Sequence, residues 1–301
     1  MTVRLRRFAI VAALALAAGT SGCGLLPSRD DSARLHQQAQ AALTRWTDAV
    51  AAAGGQSAFI PVGELTAMVG DDWGPEVGGN NKMALMAGLV EAAVNLPAET
   101  PPDGELRRQN GSTKTVRLIS AQKALSDLKA DAAGSSCPEC VPLQITAVRL
   151  TSGPVDTSRG PAMAPVWEFT VRGTAVRVTR VAIADRVSVV PPLWDPDNAP
   201  VGISIDSATG TVGGQHLTVA FTGAPGAGDQ GCGADYTAEA VESPTAVVVI
   251  VTEHRHSSFF GESCSAVGTF RTAEVALSAP LGDRTVLEVQ QGRAVAVLLT
   301  R

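Results

Sequence analysis

"LQITAVRL", residues 143–150, marks the point at which the chain turns from helical to extended patterning. Upstream, Leu35, Ala39, Ala42, Trp46, Val50 and Ala53 recur at three- and four-residue steps, one apolar stripe of a helix that Asp31 or Ser32 can cap and Gly54-Gly55 ends. A second helix is expected over residues 82–94, "KMALMAGLVEAAV", apolar nearly all round and therefore deeply buried, its two methionines serving as core filler. "ELRRQNGSTKTVRL" alternates about Asn110-Gly111, a strong hairpin signal because both residues accept positive φ. Ser120 caps a third helix with Ala121, Ala124, Leu125, Leu128 and Ala132 on one face.

Downstream the segments are short and extended: "VWEFTV", "AVRVTRVAIA", "RVSVV", "VGISID", "HLTVAFTG", "TAVVVIVTE", "GTFRTAEVAL", "RTVLEVQQG" and "AVAVLLT". The expected class is α+β, N-terminal helices followed by a mostly antiparallel β-sheet. "PPLWDPDNAP", residues 191–200, holds four prolines and reads as a linker, dividing an α+β unit over 32–190 from a β-rich unit over 201–301. Residues 148–178 and 275–297 share a layout: a strand, a Pro/Gly turn closed by arginine, then a strand ending in Gly-x-Ala-Val-x-Val. That echo suggests two related β-rich modules.

The N-terminus carries the clearest signal. Arg4, Arg6 and Arg7 precede an apolar run from Phe8 to Ala18, 11 residues. A membrane span needs about 20, so residues 1–22 read as an export signal. Thr20-Ser21-Gly22-Cys23 resembles the bacterial lipobox, although Thr20 stands where an aliphatic residue is usual. The resemblance implies diacylglycerol on Cys23 and cleavage before it, with residues 23–31 a lipidated tether. Alanine, valine and arginine richness makes the remainder similar in style to secreted lipoproteins of high-GC actinobacteria. It implies a lipid-anchored place on the extracytoplasmic face of the cell membrane, but no reaction.

Removing the signal takes Lys and Arg from 24 to 21 against 29 acids, so the net charge moves from −5 to −8. An acidic chain gives no electrostatic case for nucleic acid or for an anionic bilayer. Attachment to the membrane is expected through lipid alone. Beyond it, the partner would be a protein, cell-wall material or a small ligand.

Cys137, Cys140, Cys232 and Cys264 remain, an even number in an exported chain. Of three possible pairings, the local one joins Cys137 to Cys140 and Cys232 to Cys264. A redox centre at Cys137-Pro-Glu-Cys140 would need a helix beginning at the motif to lower the thiol pKa; here a helix precedes and a strand follows. A zinc knuckle lacks two suitably spaced ligands, and haem attachment lacks a histidine at position 141. His254 and His256, with Glu262, are weak candidates for a divalent metal. Asp195, Asp197 and Asn198 lack the glycine and closing glutamate of a calcium loop. Asp71, Asp72 and Trp73 could border a groove, with packing the stronger reading for the tryptophan.

No Gly-x-Ser-x-Gly and no phosphate-cradling glycine loop occurs. The expected role is therefore a binding or envelope-accessory module without cofactor or catalytic set. The alternative is an extracytoplasmic enzyme, either a thiol oxidoreductase using Cys137 and Cys140 or a cryptic hydrolase.

Overall fold

The computed structural model describes residues 29–55, 59–74, 78–132, 136–193, 199–256 and 263–301. Helices and strands run α1 (Arg29–Ala52), β1 (Thr66–Val69), α2 (Gly78–Met86), β2 (Val90–Ala92), β3 (Gly104–Arg108), β4 (Thr113–Val116), α3 (Ala121–Asp131), β5 (Leu143–Thr157), β6 (Gly160–Val171) and β7 (Arg177–Val181). There follow β8 (Ile205–Thr211), β9 (His216–Gly223), β10 (Ala234–Glu242), β11 (Ala246–Arg255), β12 (Thr269–Ala276), β13 (Thr285–Glu288) and β14 (Ala296–Thr300). The fold is β-rich with mainly antiparallel pairs, and its three described helices are fewer and shorter than a balanced α+β fold would hold. Helices do not all come first: β1 to β4 precede α3.

The long hairpin of β5 and β6 organises a seven-stranded sheet. On the far side of β6, β3 pairs at Arg107 and Arg108 while β7 pairs along Val166–Thr170. β4 extends β3, β1 extends β7, and β2 runs parallel beside β5. Ala124, Leu125 and Leu128 of α3 bury against Val166, Phe169, Val178 and their neighbours. Ser120 caps that helix as expected, its Oγ accepting from the Lys123 amide at 3.2 Å. The expected hairpin also forms, with Asn110 Oδ1 accepting from the Ser112 amide and Gly111 at φ +82°.

The second expected helix is shorter than its apolar pattern. It ends at Met86, and Val90–Ala92 becomes β2. Gly88 stops it: φ is +65°, Leu89 donates back to the Ala84 carbonyl, and a Cβ at 88 would sit 3.0 Å from both Ala132 Cβ and the Lys129 carbonyl. Ala84 and Leu85 face the core, whereas Met83 and Met86 are 47% and 65% exposed. The methionines are therefore surface residues and not core filler.

Strands β8 to β14 form two facing sheets, β10-β11-β13 and β12-β9-β8-β14. Between them lie Val247, Val249 and Val251 with Val219, Phe221, Val275, Val286 and Val297. The alternate residues Ala246, Val248 and Ile250 point the other way, into a second cluster with Leu35, Ala39, Trp46 and Val50 of α1. Thus α1 packs on a strand from the far half of the chain, β11. Gln38 fastens the contact, donating to the Val201 and Val289 carbonyls at 3.0 and 2.8 Å and accepting from the Val201 amide at 3.1 Å. Gly202, at φ +89°, admits the helix because a Cβ there would stand 2.6 Å from Leu35 Cδ2.

The internal echo does not survive as a structural repeat. β5 and β6 form one hairpin, while the corresponding β12 and β13 lie in different sheets, paired with β9 and β11. Shared strand-turn-strand composition has been routed by different neighbours.

Two predictions concern stability. Ile250 is fully buried, and Ile250→Ala removes methyl groups from the α1 contact, so chemical denaturation is expected to show a loss of about 2–5 kcal/mol. The second involves Asp127 on α3, which accepts hydrogen bonds from Lys123 and, at 3.0 Å, from Arg186. Burial acts to raise the Asp127 pKa, but the two cations outweigh it and the net shift is downward. A depressed carboxyl stabilises the fold above the unfolded value of about 4 and loses that contribution as pH falls through the folded value. Asp127→Asn should therefore lower Tm at pH 7, the gap from the unsubstituted chain closing in acid; a gap independent of pH would contradict the assignment.

Candidate functional site

The four paired cysteines fall where their spacing suggests. Cys137 and Cys140 are bonded with Cα atoms 5.3 Å apart, and Cys232 and Cys264 with Cα atoms 5.5 Å apart. The short bridge spans the junction between α3 and β5, and Asn80 of α2 brackets it by accepting from the Val141 amide and donating to the Val141 carbonyl. Neither sulfur sits at a helix N-terminus, the feature that would favour a thiolate. The long bridge ties the 224–233 loop to residue 264, beside β12.

The histidines diverge in their partners. His254 Nε2 meets Thr237 Oγ1 at 2.9 Å, whereas His256 Nδ1 meets the Gly228 carbonyl at 3.1 Å. Glu262 lies outside the described residues, and among those described no cluster of three metal-binding side chains occurs. Cys23 and the group Asp195, Asp197 and Asn198 also lie outside them. Trp73 is buried in the first core, not at a groove, while Asp72 organises a turn by accepting from Gly74 and Thr174.

What the fold assembles is a cleft of about 610 Å³ where the seven-stranded sheet meets the paired sheets. Four connections, among them the β8–β9 turn with Val212, and one strand converge on it. The β3–β4 hairpin brings Arg108 and Asn110; the β5–β6 turn brings Arg159 and Gly160; the segment before β13 brings Asp283; and β14 supplies Leu298 and Leu299. The register of the large sheet explains the first two. Arg108 pairs with Ala162, two residues beyond Gly160, so both hairpin ends open on the same side of the junction.

Arg159 holds the junction itself. Its Nη2 donates to the carbonyls of Gly282 and Arg284 at 2.8 and 3.2 Å, and the neighbouring Ser158 carbonyl accepts from the Val297 amide at 3.2 Å. Burial and then the like charge of Arg108 push the Arg159 pKa down, while Asp283 acts to raise it. Burial also lowers Lys114 on β4, again with Arg108 contributing. These shared influences place Arg108 within electrostatic reach of two other cations. Among the described residues the Arg108 guanidinium makes no ion pair or hydrogen bond. The cleft is thus a locally positive hollow in an acidic protein.

No protein-family model, curated protein or solved structure matches this chain.

Sequence reading missed the cleft. Arg159 stood out only as the arginine closing a turn, and Arg108 only as part of a hairpin; 50 residues and a strand register separate them in the chain. The disulfides differ in consequence as well as in place. Closing the loop from Cys232 to Cys264, separated by 32 residues, contributes about 3–4 kcal/mol in the chain-entropy account, against about 2 for the short ring. Paired Cys→Ser variants in urea should show that order; equal losses would mean that native packing, not loop closure, sets the effect.

Proposed function

We propose that the protein is a lipid-anchored lipoprotein of the extracytoplasmic face of the cell membrane that acts as a binding module, with the cleft beneath the β5–β6 turn as its ligand site. The cleft carries the reading. Its volume lies within the range of small-ligand sites, and its few polar groups converge beside an apolar wall. The lipobox-like Thr20–Cys23 supports the anchor. Two disulfides are compatible with an oxidising compartment. No described helix is long and apolar enough to cross a membrane.

Fractionation tests the anchor. The unsubstituted chain should appear with membranes and carry an acyl adduct by intact mass. Cys23→Ala should move into the soluble extracytoplasmic fraction. An unmodified mass, or membrane retention of the alanine variant, would overturn the lipoprotein reading.

A further inference from the structure

We propose that the cleft takes a small amphipathic ligand whose oxyanion head, a carboxylate or a phosphate, is held by Arg108 and Arg159 while its apolar body lies along β14. This inference rests on the cleft being the ligand site and names the chemistry of what enters it.

Charge and surface both point there. Arg108 is half-buried, yet its guanidinium has no carboxylate or carbonyl partner among the described residues, unlike Arg149, Arg186 and Arg284, each paired with a carboxylate. Arg159 donates from Nη2 to two carbonyls, which fixes its plane, and its other guanidinium nitrogens make no described hydrogen bond. A planar guanidinium held in this way is suited to receive a two-oxygen partner with little further ordering. Two like charges in one half-buried hollow repel, and an anion between them relieves that repulsion. The single acid on the rim, Asp283, is exposed and belongs to the Arg159 side. It therefore competes with an incoming anion.

The opposite wall has the other character. Val212 is 67% exposed and Leu298 is 55% exposed, both on the cleft. A fully hydrated ion would gain nothing from them. A molecule with an apolar portion would cover them, adding about 25 cal/mol for each Å² removed from water. The two walls together select an amphipathic anion over a bare one.

Isothermal titration of the full chain carrying Cys23→Ala tests this, with octanoate and octyl phosphate as probes and acetate, inorganic phosphate and octan-1-ol as controls. One-to-one binding of at least one amphipathic anion is expected, with every control much weaker. Arg108→Gln should weaken that binding by about tenfold or more, and Asp283→Asn should tighten it. The Arg108 guanidinium makes no hydrogen bond or ion pair among the described residues, so its variant should melt close to the parent. Arg159 does support the junction, so Arg159→Lys, which keeps the charge, is the informative change there. It should weaken binding while thermal unfolding stays close to that of the parent. Unchanged affinity in Arg108→Gln would overturn the proposal. Octan-1-ol binding as tightly as octanoate, and lost in Leu298→Glu, would overturn the anion and retain the cleft as a ligand site. Failure of every probe would overturn the ligand chemistry; the acyl test at Cys23 stands apart from all three results. Sedimentation with phosphatidylglycerol vesicles separates a free ligand from a bilayer headgroup: the soluble chain should stay in the supernatant, and pelleting that depends on Arg108 would reassign the cleft to the membrane surface.

Discussion

Strand β11 is buried on both faces, and the second half of the molecule is arranged around that fact. From Ala246 to Val251 every residue is at most 1% exposed. Successive side chains of a strand point to opposite sides, so such a run needs two apolar partners. The opposing sheet covers Val247, Val249 and Val251; helix α1 covers Ala246, Val248 and Ile250. Without α1, three aliphatic side chains of the central strand would face water. The helix accepts this role because Ala39 and Ala42 are small and wholly buried, letting Trp46 and Leu35 reach past them. Gln38 then satisfies three backbone groups that the sheet edge would otherwise present.

This packing makes the first described helix and the paired sheets one unit in space. The seven-stranded sheet arises within residues 59–187, between a helix and a sandwich that bury each other. It is joined to them at the β5–β6 hairpin end, by Arg159 on two carbonyls and Ser158 on Val297, and after β7 by Val187 within the α1 cluster. A cleft at such a junction follows from geometry. Hairpin ends are narrow, and what they approach is a flat strand, so space remains beside the contact. Polar turn residues line one side and the strand's outward side chains line the other. The mixed character of the hollow is a consequence of how it is built.

Much of the local structure was legible because single residues decide it. Ser120 starts a helix by offering its hydroxyl to an amide, Asn110-Gly111 closes a hairpin through positive φ, and the cysteine spacing selects local bridges. The second helix was misread for an equally local reason that the pattern obscured: Gly88 is required by the approach of α3, and an apolar run does not reveal which of its residues a neighbour will crowd. The burial of the run 246–251 was readable as strand, but not the identity of the element on its second face. The α1 stripe and the β11 stripe are each visible, yet nothing in either names the other. The cleft was illegible for the same reason on a larger scale. Arg108 and Arg159 become neighbours through the register of β3 on β6, a property of pairing and not of spacing.

The location of the anchor gives this architecture a mechanical meaning on the lipoprotein reading. Cys23 precedes the first described residue of α1 by only a few positions, so load from a lipid at Cys23 would enter the body through that helix. An isolated helix with a mostly polar surface would be a compliant stalk. This one is clamped by Arg34 on the Ala199 carbonyl, by Gln38 on both sides of the sheet edge, and by six buried apolar side chains. Load would therefore pass directly into the doubly covered strand β11, the least exposed part of the fold. The β3–β4 and β5–β6 hairpin ends of the seven-stranded sheet lie away from that path. A ligand cleft at those ends would then sit at the boundary between the part held to the membrane and the part that is not. On that reading, an anchor at Cys23 would hold the protein in place without straining the β3–β4 hairpin that carries Arg108.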